Sequence, residues 1–186
     1  VIPYGVDTVP LAALEPKPLD HPLRLVVVSR LAPNKRIDHA IRVVKALGDC
    51  HVEAKLRIVG TGESEPQLRQ LVKQLNLDGA VSFAGLLPEA QKETELRQAH
   101  FLVHTSLREG WGLNVTEANA MGTPGVVYPV PGLVDSTLAG ETGLVVGEES
   151  PQAIAAALQE ALTAPEQYEA CRINAWKRAW SLQWDK

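Results

Sequence analysis

Short runs of consecutive apolar residues alternate with segments whose apolar positions recur every three or four residues, over most of the chain. Leu25-Val26-Val27-Val28 reads as a buried strand followed by a helix over 37–47. Leu56-Arg57-Ile58-Val59 leads to a helix over 65–75, and Val81-Ser82-Phe83-Ala84 to one over 90–99. Phe101-Leu102-Val103-His104 precedes a glycine-bracketed turn and a helix over 113–121. Gly125-Val126-Val127-Tyr128 and Gly143-Leu144-Val145-Val146 follow, then a helix over 151–162 and a last one after Pro165. Near-continuous Val/Ile/Leu strands between amphipathic helices predict a parallel sheet covered on both faces. The expected fold is α/β, a Rossmann-like doubly wound sheet, which binds ligands beyond the carboxyl ends of its strands.

The flanks read differently. Residues 1–20 contain four prolines and read as a linker or hinge arriving from elsewhere, so the Rossmann-like domain proper is expected over 21–175. Residues 176–186 form a tail with three tryptophans, of which Trp176 and Trp180 are four apart and share a helix face. The chain opens at Val1 in mid-phrase, like a piece of something longer.

Composition narrows the function classes. With 186 residues, 45% hydrophobic and 22% charged, the chain can bury a full core. A net charge of −4 with scattered basic residues argues against nucleic acid or an anionic membrane as the main partner. Cys50 and Cys171 make neither a disulfide framework nor a metal motif, which points to a reducing, cytoplasmic setting.

Candidate chemistry sits just after the strand ends. In Ser29-Arg30-Leu31-Ala32-Pro33-Asn34-Lys35, the turn on Pro33-Asn34 lets Arg30 and Lys35 point over the sheet edge, a fork and a compact charge suited to a diphosphate; two solvated surface cations fit the spacing equally well. Gly60-Thr61-Gly62-Glu63-Ser64-Glu65 lacks the third glycine of a dinucleotide fingerprint, so it reads as a turn with an N-cap at Ser64, while Gly60 and Gly62 could still admit another ligand to the backbone. Gly85-Leu86-Leu87-Pro88 is a connector or, on weaker grounds, a shelf for a nucleobase.

The strongest signal is Arg108-Glu109-Gly110-Trp111-Gly112-Leu113-Asn114-Val115-Thr116-Glu117. Gly110 and Gly112 permit backbone angles closed to side chains, and the helix start should leave the N–H groups of Leu113, Asn114 and Val115 free for an anion. Glu109 and Glu117 are carboxylates that accept from hydroxyls at either end of such a ligand. A nucleotide-sugar carries phosphates between two sets of hydroxyls. His104 reads as a structural imidazole at a strand end, His21, His39, His51 and His100 form no metal pattern, and Asp135 reads as a helix cap.

These residues resemble the C-terminal, nucleotide-sugar-binding domain of GT-B-fold retaining glycosyltransferases of the family 4, or group 1, type. Val1-Ile2-Pro3-Tyr4-Gly5-Val6-Asp7 is similar to the family's hinge phrase, Arg30 and Lys35 to its diphosphate pair, and Glu109 and Glu117 to its Glu-x7-Glu motif. Val59-Gly60-Thr61-Gly62, Phe83-Ala84-Gly85 and Gly143-Leu144-Val145-Val146 resemble its later phrases, and Trp180 to Trp184 its tail, which crosses back to the other domain. The resemblance implies that Arg30 and Lys35 hold and stabilise the departing diphosphate. It implies that Glu109, with the backbone through Gly110, Trp111 and Gly112, holds donor-sugar hydroxyls. Glu117 would bind the ribose, and Leu86 and Leu87 would meet the base.

It further implies sugar transfer with retention from a nucleotide-diphosphate sugar, no cofactor and no bound metal. The partners it implies are the nucleotide-sugar and an N-terminal acceptor domain absent here, through which any membrane contact would run. Asp135 stands where the family often has glutamate, and Thr116 and Asn119 are more polar than the family pattern. Without the acceptor domain the chain is expected to fold and bind donor weakly but not to transfer sugar. A non-catalytic nucleotide-binding or scaffold domain, or a related sugar-nucleotide epimerase or phosphorylase, is the alternative; intact Arg30, Lys35, Glu109 and Glu117 favour the transferase.

Overall fold

Six parallel strands form one sheet in the order β3-β2-β1-β4-β5-β6 in the computed structural model, which describes residues 8–183. They are β1 (Leu23–Val28), β2 (Ala54–Val59), β3 (Val81–Gly85), β4 (Phe101–His104), β5 (Gly125–Val127) and β6 (Gly143–Val145). β4 and β5 are buried at every position and β1 at most, which is why their sequences are apolar runs rather than alternations. β2 alternates more, with Ala54 buried and Lys55 exposed, and starts two residues before its apolar run.

The helices are α1 (Ile37–Asp49), α2 (Glu65–Gln74), α3 (Glu89–Gln98), α4 (Leu113–Ala120), α5 (Leu133–Ser136), α6 (Pro151–Thr163) and α7 (Pro165–Ser181). α1 packs with α2 and α6, and α4 packs with α3 and α7, so the sheet is covered on both sides. The expected doubly wound α/β fold is present. α6 begins where sequence chemistry says it should: Ser150 Oγ accepts from the Ala153 N–H at 3.1 Å, with Pro151 next. Ser64 precedes α2 as expected, but its side chain makes no capping bond. Two elements escaped periodicity because each is a single turn: α5 and the 3₁₀ turn Pro33–Lys35.

The topology decides where a site can form. The chain moves outward from β1 to β3, then crosses back to place β4 on the other side of β1, with Leu25 paired to Phe101 and Val26 to Leu102. Loops after β1 and β4 therefore leave in opposite directions and open a crevice at the carboxyl edge, the switch point of such sheets.

Residues 8–15 lie against α7 and the residues that follow it. Gln183 Nε2 donates to Thr8 O (2.9 Å), Trp176 Nε1 to Leu11 O (2.8 Å) and Arg172 Nη2 to Glu15 O (3.0 Å). Lys17 Nζ then donates to Ala99 O (2.8 Å) and Thr123 Oγ1 (2.7 Å) at the amino edge of the sheet. The segment thus descends antiparallel to α7 before β1 turns upward. Trp176 and Trp180 lie within α7, their rings edge to face at 6.5 Å. The phrase over 1–7 and Trp184 lie outside the described residues.

Candidate functional site

The loops after β1 and β4 bring Lys35 and Glu109 together across the switch point. Lys35 Nζ donates to Glu109 Oε1, Ser106 Oγ donates to the same oxygen at 2.7 Å, and His104 Nε2 lies 3.5 Å from it. Burial alone would raise the Glu109 carboxyl, but the bonds from Lys35 and Ser106 and the charge of Lys35 outweigh it and hold the group below the usual glutamate range. Glu109 is therefore an anion at neutral pH. His104 is buried and held down to about 4, so its imidazole is neutral. The Asn114 side chain donates to Val28 O at 2.8 Å, fastening the start of α4 to the end of β1.

All three contacts fall on Oε1; among the described residues nothing donates to Oε2. Glu117 is arranged alike. Lys92, on α3, donates to its Oε2 at 3.0 Å and also pairs with Glu89 at 2.8 Å. Burial would lower the Lys92 ammonium, yet the two carboxylates together raise it.

Arg30 is apart from this cluster. Its side chain is 72% exposed and pairs with the exposed Glu63 at 3.2 Å, a contact too solvated to fix it. The neighbouring glycines serve this loop. A Cβ on Gly60 would overlap the Ser29 carbonyl oxygen, and one on Gly62 the Leu31 carbonyl oxygen. Leu31 N–H donates to Thr61 O (2.9 Å) and Ser64 N–H to Leu31 O (3.0 Å). The space beside Gly60 and Gly62 is filled by backbone.

The turn after Glu109 corrects two expectations. Gly110 has no positive φ and open space where a Cβ would lie, so nothing in its backbone demands glycine; Gly112, at φ 78, does take the left-handed region. Val115 N–H is not free, because the tight first turn of α4 bonds it to Gly112 O at 2.9 Å. Leu113 and Asn114 keep their amides without a partner among the described residues. Residues Glu109 through Asn114 line an open depression here. Trp111 is buried in its floor, with an indole N–H that bonds to nothing among the described residues. Leu86 is 82% exposed and Leu87 half-buried against the core.

The lesser candidates are placed. Asp135 Oδ2 accepts from Gly132 N–H at 3.2 Å and caps α5. His39 Nδ1 lies 2.8 Å from the Tyr128 hydroxyl, and His100 Nδ1 accepts from Arg24 N–H at 3.0 Å. Among the described residues no three His, Cys, Asp or Glu side chains group as metal ligands. Sequence reading missed Ser106, Glu63 and Lys92 as partners of the site, since each meets its carboxylate or cation only through tertiary contact.

Known proteins share both the sequence and the fold. The family model described as "Glycosyl transferases group 1" matches residues 15–178. The D-inositol 3-phosphate glycosyltransferase of Streptomyces griseus is 33% identical over 165 residues, which is 84% of this chain and 35% of that protein. The chain spans 35% to 41% of the length of the first curated relatives it matches. Among solved structures, the pneumococcal O-GlcNAc transferase GtfA in complex with UDP and GlcNAc superposes with a TM-score of 0.82 at 23% identity, over 96% of this chain and 35% of that one. The C-terminal domain of the glycosyl transferase group 1 family protein LpcC from Francisella tularensis superposes with a TM-score of 0.74 at 20% identity, over 85% of this chain and 84% of that one.

Proposed function

Since this chain belongs to the glycosyl transferases group 1 family, we propose that it is the donor-binding half of a retaining, GT-B-fold transferase. On this reading it moves a sugar from a nucleotide-diphosphate sugar to an acceptor held by a further domain. The observation that carries the reading is the pair of half-held carboxylates. Glu109 and Glu117 each have one oxygen fixed by protein donors, and no hydrogen bond from a described residue uses the other. Each can then accept a ligand hydroxyl without losing the contacts that hold it in place. The positive groups near this motif are Lys35 and the amides of Leu113 and Asn114, with the exposed Arg30 on the neighbouring loop.

When the bond from the anomeric carbon to the diphosphate breaks, the electron pair leaves on phosphate oxygen, and these groups meet the charge that develops. Preorganised charge of this kind supplies much of the rate enhancement in many enzymes, and it requires no metal here. In this reading Glu109 Oε2 takes sugar hydroxyls, Glu117 the ribose, and the exposed Leu86 with Leu87 a face of the base. Glu109 serves as an acceptor of hydroxyl protons and not as the base. Free Cys50 and Cys171 suit a cytoplasmic setting, and among the described residues no helix is long and apolar enough to cross a membrane.

Calorimetric titration with UDP, GDP and ADP tests the reading. One nucleotide is expected to bind, and Lys35→Ala or Glu117→Ala to weaken it about 10-fold or more, as loss of a charge-assisted contact implies. Failure of all three nucleotides and their sugars at millimolar concentration, with the chain folded, sinks it.

A further inference from the structure

Arg36 sits at φ 47, ψ 46, in the left-handed region, immediately before α1. Two other described non-glycine residues, His51 and Asn76, share a positive φ, and both follow a helix end, where such angles are common. Arg36 joins the end of the 3₁₀ turn Pro33–Lys35 to the start of α1, its N–H donating to Pro33 O at 3.2 Å, and an L-residue stays in this region only where its surroundings fix it.

Its side chain shows what fixes it. The side chain is 15% exposed, and its guanidinium donates to Thr105 O at 2.8 Å and Ser106 O at 3.2 Å and reaches Glu149 Oε2 at 2.6 Å. It also stacks over the Tyr128 ring at 4.7 Å. The loop after β4 answers in kind: Thr105 Oγ1 donates to Lys35 O at 3.0 Å and to Arg36 O at 2.8 Å, and Leu107 N–H donates to Asn34 O at 3.0 Å. The backbones that carry Lys35 and Ser106 are therefore sewn together through Arg36, and both side chains end on one oxygen of Glu109.

We propose that Arg36 is a positioning residue for the diphosphate and sugar end of the site: it sets the place of Lys35 and Ser106 against Glu109. This rests on the donor-site reading. The guanidinium acts through its neighbours: Nε and Nη2 are engaged by two carbonyls and a carboxylate, and its face lies on the Tyr128 ring. The nucleoside end belongs to Glu117 and Lys92, which Arg36 does not touch. Its loss must then be felt only by ligands that extend past the nucleoside monophosphate, whereas a merely structural staple would weaken every ligand alike.

The test is calorimetric titration of the wild-type chain, Arg36→Gly and Arg36→Lys with the monophosphate, diphosphate and diphosphate-glucose forms of uridine, guanosine and adenosine. For the base that binds, the affinity ratio of diphosphate to monophosphate is expected to fall about 10-fold in Arg36→Gly, as for loss of one charge-assisted contact, with monophosphate affinity unchanged. Arg36→Lys recovers part of the ratio, because an ammonium reaches one carbonyl but lacks the fork. An unchanged ratio, or an equal loss for every ligand, overturns the assignment. If Arg36→Gly fails to fold, Arg36→Lys and Glu149→Gln carry the same test, each lowering the ratio by a smaller factor. A wild-type chain that binds no nucleotide overturns the donor-site reading and this inference with it; a wild-type chain that binds while the ratio stays fixed overturns this inference alone.

Discussion

Single buried and half-buried groups give the chain a definite pH response. Lys17 is lowered to about 7, first by burial and then by the charges of Arg172 and Arg24. The unfolded chain keeps that proton up to about 10.5, so between pH 7 and 10.5 the unfolded state holds more protons and stability rises with pH. Below pH 7 both states are protonated and this slope vanishes. Burial likewise holds His100 and His104 down to about 4, so stability falls as pH drops from 6.5 toward 4. Cys171, pushed up to about 12 by burial, keeps its proton in the fold and opposes the rise above about pH 9. Urea unfolding from pH 4 to 8.5 should show stability climbing throughout. Lys17→Met should flatten only the part above pH 7; a variant with the wild-type slope there refutes the role given to Lys17. Sequence could not have flagged Lys17, a lysine among prolines that becomes half-buried only because its own segment holds it against Thr123.

Elements were legible where they repeat a period, and glycines show where legibility ends. Every strand run and every long helix was readable, since three or more turns or several consecutive buried positions leave a pattern. One-turn elements were not. In the site, Gly60, Gly62, Gly110 and Gly112 look alike in sequence but differ in space. Gly62 abuts the Leu31 backbone, and Gly110 abuts nothing within 4 Å. Gly62→Ala should therefore lower stability by on the order of 2 kcal/mol or more, and Gly110→Ala by less than about 1 kcal/mol. Paired thermal melts check this, and equal losses would show that the close approach of the two loops is not real. The Lys35–Glu109 pairing was expected only as two loops on one edge; their register depends on Arg36 and Thr105, which no spacing rule reveals.

At the scale of the molecule, the strand order explains why two halves of one site come from residues 74 positions apart: the crossover lays the loops after β1 and β4 side by side. The Glu109–Glu117 motif was readable because it lies within one turn and one helix, whereas its counter-ions Lys35 and Lys92 come from other elements. The rail formed by residues 8–15 along α7 carries a different consequence. Its rungs run from Gln183–Thr8 through Trp176–Leu11 to Arg172–Glu15, antiparallel, with Thr8 and Gln183 side by side at the top. A tension applied between those two residues would load one rung at a time, opening the seam like a zipper at low force. Pulling between Thr8 and the start of α7 would shear all the rungs together and meet far greater resistance.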